Sequence, residues 1–180
     1  MKKLLSLLLC AVLLLVSISA LAGNDASIDF QDRLQLRGTL PEGYKCTILS
    51  QSDLTMECAV VSDNPAAPCL KIFISFNESY ANTQRLGDLD AETLELIKAG
   101  FSEENTVSFD MFETASGLSL LMVRETGEDQ DFLDFYTVFL GHEIELWMSR
   151  PDGTDDPSLP EAQLASWTEF VKALEFVALQ

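Results

Sequence analysis

The sequence predicts an α+β domain: an antiparallel sheet with a C-terminal four-strand meander, covered by helices on both faces as an α/β/α sandwich. Three observations carry this. Residues 131–149 read as two long strands joined at Gly141-His142, with Gly suited to the first central position of a type II′ hairpin turn. The run Leu118-Ser119-Leu120-Leu121-Met122-Val123 is apolar on both sides, as in a sheet covered on both faces. Residues 91–101 and 164–178 repeat apolar side chains at helical spacing and supply the two covers.

Residues 1–22 read as a signal peptide and 23–180 as one domain. Lys2 and Lys3 form a positive start, residues 4–16 an apolar core, and Ala20-Leu21-Ala22 an A-x-A-like cleavage site. Cys10 lacks the small residues that a lipidation box places before its cysteine. An uncleaved anchor is the alternative, because residues 4–22 are nearly long enough to span a bilayer. The charged start and small-residue end favour cleavage, which leaves no membrane span and an extracytoplasmic location, periplasm or cell surface.

Cleavage removes two lysines and no acid, leaving nine basic residues against 29 acidic ones, a balance of about −20. Phosphate-rich nucleic acid and anionic membrane surfaces repel such a chain. Solubility accounts for the acidity; an acidic patch for a cationic partner is the sharper reading.

Cys46, Cys58 and Cys69 remain, an odd number. Tyr44, Cys46 and Ile48 alternate on one strand and Met56, Cys58 and Val60 on the next, so a loop centred on Ser52 sets Cys46 opposite Cys58. A Cys46–Cys58 disulfide and a pair of small buried thiols are both open. No C-x-x-C pair or second histidine accompanies them, which argues against zinc.

Residues 24–38 begin polar and form a loose lead into a strand. Leu40-Pro41-Glu42-Gly43-Tyr44 is a turn, followed by strands at 44–50, 54–61 and 70–76. Asn77-Glu78-Ser79 fits the glycosylation sequon, a motif too short to carry weight. Asp88 or Asp90 caps the helix over 91–101, and Gly100 suits the left-handed residue that ends it.

Four strands then follow over 106–149, linked at Ser116-Gly117, at 126–130 and at Gly141-His142. Pairing the last hairpin about that turn sets Leu140 opposite Glu143, Val138 opposite Glu145 and Tyr136 opposite Trp147. Phe135, Thr137, Phe139, Ile144, Leu146 and Met148 share the other face. Ser158-Leu159-Pro160-Glu161 resembles a capping box, and Leu164, Trp167, Val171, Leu174 and Ala178 form the stripe of the last helix.

The order of elements, with the Leu-Pro-Glu-Gly-Tyr turn and the closing Trp-Thr-Glu-Phe-Val-Lys-Ala-Leu-Glu-Phe-Val, resembles the PsbP-like and DcrB-like group. The resemblance spans most of the chain beyond residue 22 and includes no functional motif. It implies a non-enzymatic accessory or assembly role in a cell envelope.

Little chemistry is legible. His142, the only histidine, is expected as an exposed turn residue. Neither a G-x-S-x-G elbow nor a phosphate loop is present. Asp152-Gly153-Thr154-Asp155-Asp156 departs from EF-hand spacing and reads as an acidic connector. No cofactor and no metal is implied. Tyr136, Glu145 and Trp147 are the candidate ligand-binding residues: an aromatic pair flanked by carboxylate can hold a sugar or a cation if left uncovered. Packing beneath the 91–101 helix is the structural alternative. The sequence therefore predicts a secreted or cell-envelope non-enzymatic binding or accessory protein of unknown protein or small-molecule ligand, with a cationic ligand as the sharper reading. The alternative is a small secreted hydrolase using acidic residues.

Overall fold

The computed structural model describes residues 25–64, 67–101, 106–126, 131–149 and 161–179. The segment 1–22, the acidic loop at 152–156 and most of the capping box at 158–161 lie outside them. The chain runs β1 (Asp25–Phe30), β2 (Leu34–Thr39), β3 (Tyr44–Gln51), β4 (Thr55–Ser62), β5 (Cys69–Phe76), α1 (Ala91–Ala99), β6 (Thr106–Glu113), β7 (Ser119–Thr126), β8 (Asp131–Phe139), β9 (His142–Ser149), α2 (Glu161–Lys172) and β10 (Glu175–Ala178).

The helix-covered sandwich is overturned. Among the described residues there are two short helices, and the strands form two sheets: seven in the order β3-β4-β5-β9-β8-β7-β6 and three in the order β1-β2-β10. Every pairing is antiparallel. The cover expected from a helix is on one side a layer made jointly of the small sheet and α2. On the other side α1 roofs only part of the sheet.

Two misread stretches explain the difference. Residues 25–39 are a hairpin, closed by left-handed Gln31 and Asp32 and by Arg33 N–H donating to Phe30 O at 3.1 Å. Ile28, Phe30, Leu34 and Leu36 are buried while Asp29 and Arg37 face out, the period of a half-buried strand. At the other end α2 stops at Lys172, and Glu175–Ala178 turns outward to pair with β2, setting Phe176 against Leu36. Leu164, Trp167, Val171 and Leu174 are buried as their stripe requires, but Ala178 belongs to a strand and is exposed. Helical and strand spacing coincide over Leu174-Phe176, so periodicity alone could not separate them.

The main core lies between the seven-stranded sheet and this composite layer. Phe30, Phe135, Leu70, Ile72, Leu146 and Met148 are among its fully buried side chains, each contributing about 2–3 kcal/mol through lost apolar surface. Trp167 stands edge-on to Tyr44 at 5.3 Å and to Phe170 at 5.5 Å. A smaller cluster on the opposite face sets Leu121, Val123, Tyr136 and Val138 against Leu94, Ile97 and Phe101. Asp90 caps α1, its carboxylate accepting from Thr93 N at 2.7 Å. Gly100 ends α1 without the expected left-handed turn, at φ −73°.

The β8–β9 hairpin positions the candidate site, and its turn differs from expectation. Its central residues are Leu140 and Gly141, at φ 52° and 77°, the geometry of a type I′ turn. A left-handed leucine is strained. It is held because Leu140 N donates to Gln84 O at 3.0 Å and Gly141 N to Thr83 O at 2.9 Å. A side chain on Gly141 would stand 3.2 Å from Ala81 Cα and 3.3 Å from Tyr80 O. The clasping segment, residues 77–84, is therefore built onto the turn.

Candidate functional site

Moving the turn by one residue changes the partners but not the faces. Tyr136 pairs with Glu145, Val138 with Glu143 and Asp134 with Trp147, in place of the expected Tyr136–Trp147 pair. Tyr136, Glu145 and Trp147 still share one face and line one hollow of about 310 Å³, with Phe101, Glu125, Phe132 and Asp134. A second hollow of about 360 Å³, bounded by Tyr80, Thr93, Ile97 and Glu143, adjoins it through Phe101, Tyr136 and Glu145. Together they make a groove between α1 and the β7–β9 surface.

Its two aromatic candidates divide. Tyr136 is 4% exposed and belongs to the smaller core. Its hydroxyl donates to Glu143 Oε1 at 2.8 Å, while Asn77 Nδ2 donates to Glu143 Oε2 at 2.9 Å. Glu143 thus ties the clasping segment to the sheet, and burial with the Glu143 charge drives the Tyr136 hydroxyl well above its ordinary range. Trp147 is only half-buried, and Lys71 Nζ lies 5.8 Å from the centre of its ring. The protein already sets one cation on this aromatic face.

The carboxylate floor was partly missed by the sequence reading. Asp134 sits two residues before Tyr136 on the same face, and its Oδ1 is buried with no hydrogen-bond partner among the described residues. Desolvation first, then the charges of Glu125 and Glu145, push its carboxyl up to about 7. Glu145, although much of its surface meets solvent, is also raised, by desolvation and then by Glu143. Glu125 is 8% exposed, an unusual depth for a glutamate. The alternation that selected Tyr136 could have selected Asp134 as well.

The other candidates lie elsewhere. His142 is not an exposed turn residue: it opens β9, is 1% exposed, and points into the main core. Its ring stands edge-on to Phe30 at 5.3 Å and Phe76 at 5.5 Å. Neither ring nitrogen makes a well-formed hydrogen bond among the described residues, though the Phe139 and Leu140 backbone lies close by. Burial lowers its pKa, and Arg33 adds to that effect. Cys46, Cys58 and Cys69 are thiols; the register sets Cys46 opposite Val60 and Cys58 opposite Ile48, so the predicted pair stands diagonally rather than face to face. Among the described residues no three His, Cys, Asp or Glu side chains converge as a metal ion would need.

A larger hollow of about 590 Å³ lies between β1, β2 and α2. Two of its polar groups are hydrogen-bonded, Thr39 Oγ1 donating to Asp25 Oδ1 at 2.7 Å and Arg37 donating to Gln35 outside the hollow. It offers no convergent set. Among the described residues no helix is long and apolar enough to cross a membrane. In comparisons with known proteins, no family model and no curated protein matches the chain.

Proposed function

We propose that this is an exported, non-enzymatic binding or accessory protein whose β7–β9 groove holds a positively charged group, an alkylammonium or guanidinium on an apolar stem. The observation that carries this is the convergence of Asp134, Glu145 and Glu125 on a floor that also presents Trp147 and Phe132. A buried carboxylate oxygen without a partner is costly, and a cationic donor at that point removes the cost. The ring face supplies cation–π attraction, worth about 1 kcal/mol. A net charge of −18 draws cations and repels nucleic acid. The role class agrees with what the PsbP-like and DcrB-like resemblance implies, and the segment 1–22 supports export.

A hydrolase using acidic residues is the second reading, favoured by an Asp134 carboxyl that titrates near 7. Acid–base pairs work by having environments that push two carboxyls apart. Asp134 and Glu145 are both pushed upward, which suits a shared cation better.

Calorimetric titration of butylguanidinium, with butylurea as neutral isostere, tests the proposal. The charged compound is expected to bind and the urea not. Trp147→Ala should weaken binding about fivefold. Equal binding of both compounds, or of neither, overturns the reading. Turnover of glycoside or ester substrates that Asp134→Asn abolishes would establish the hydrolase instead.

A further inference from the structure

We propose that Cys46 and Cys58 are a redox-active dithiol, in which Cys46 attacks an external disulfide and Cys58 resolves the mixed disulfide that forms. The inference is independent of the groove. Both residues lie on the core-facing side of the β3–β4 pair, diagonal to each other and near enough for each thiol to influence the other's ionisation. Cys58 is fully buried, whereas Cys46 is half-buried and edges a small cleft of about 20 Å³ with Leu36, Leu40 and Phe170. Cys46 is the more exposed residue of the two and Cys58 the sheltered one, the division of labour that thiol–disulfide exchange requires.

The electrostatics agree with that division. The Cys58 hydrogen bond, chiefly, and the backbone N–H of Thr47 favour a thiolate at Cys46 against the effect of its burial. Donation to Cys46, with burial, holds Cys58 as a thiol. Geometry makes the bridge labile. Diagonal strand neighbours normally hold their Cβ atoms farther apart than a relaxed disulfide allows, so closing it must draw the strands together. β3 is an edge strand, with a register shift between Ile48 and Ser50 and an exposed stretch beyond, and can make that movement.

With glutathione disulfide as oxidant, the Cys46 thiolate attacks one sulfur, the glutathione S–S bond breaks, and one glutathione leaves as thiolate. Cys58 gives its proton to solvent, its sulfur attacks Cys46 Sγ, and the second glutathione leaves. Two cysteines are oxidised by two electrons and one glutathione disulfide is reduced to two thiols.

The test is differential alkylation and peptide mapping of the full, reduced chain during exposure to glutathione disulfide at pH 7, reading Cys10 and Cys69 separately. Cys46 is expected to react about tenfold faster than Cys69 and to end bridged to Cys58. Dithiothreitol should reopen the bridge without denaturant. In Cys58→Ala the glutathione should stay on Cys46. Three outcomes overturn the proposal: Cys46 reacting no faster than Cys69, glutathione persisting on wild-type Cys46, or a bridge that only denaturant exposes to reduction.

Discussion

One face of the seven-stranded sheet, carrying Phe135, Leu146 and Met148, is sealed by the small sheet and α2. The other, carrying Asp134, Glu145 and Trp147, is roofed by α1 only over β6 to β8 and leaves a groove beside the roof. Both faces come from the same strands with the same alternation. Their difference lies in how much covers them. Where the cover is complete, even the lone histidine is buried between Phe30 and Phe76. Where it is partial, carboxylates can sit at half-depth, raised by burial yet reachable by a ligand.

The largest expected effect breaks the comparison at its sealed side. Phe135→Ala should cost about 3–5 kcal/mol in urea unfolding, because the cavity it leaves cannot collapse. Trp147→Ala on the open side should cost well under half of that. Equal losses would mean that the second face is core too.

Asp134→Asn comes next. The folded-state pKa, about 7, lies above the unfolded value near 3.8, so folding favours the protonated carboxyl. That contribution is complete below pH 3.8 and is lost as pH rises through 7. The variant, always neutral, should therefore match wild type near pH 4 and be on the order of 2 kcal/mol more stable at pH 8. A constant offset across that range would show that Asp134 is not buried as described.

His142 acts with the opposite sign and a smaller effect. Its pKa is lowered on folding from 6.5, so as pH falls below 6.5 the unfolded chain takes up a proton that the folded chain resists. Wild type should lose stability relative to His142→Leu as pH is lowered from 7 to 5. If the difference between the two proteins does not change with pH, the ring is not held neutral. Smallest is Tyr136→Phe, which removes the hydroxyl from Glu143 and should cost about 1 kcal/mol. Faster amide exchange in residues 77–84 would report the loosened clasp.

The sequence carried the faces well because side-chain alternation survives a register error. Shifting the turn from Gly141-His142 to Leu140-Gly141 left Tyr136, Glu145 and Trp147 together and Phe135, Leu146 and Met148 together. The turn itself was illegible. Leucine tolerates the left-handed conformation there only because carbonyls of Thr83 and Gln84, more than fifty residues away, bind the adjacent amides. The same shift moved His142 from the turn into the core. The small sheet was hidden for a similar reason: β10 joins β2 from the far end of the chain, and Leu174 satisfies a helical stripe as readily as a strand. Asp134 was overlooked as an ordinary polar strand residue, since only its neighbours Glu125 and Glu145, from two other strands, give it character.

The central claim, that the partly covered face holds a cation against titrating carboxylates, is tested most directly by calorimetry of butylguanidinium binding at pH 7 in two buffers of different ionisation enthalpy. A cation seated on Asp134 favours its ionised form, so binding should expel a proton and the measured heat should depend on the buffer. Asp134→Asn should remove that dependence. Binding with the same heat in both buffers would contradict the account.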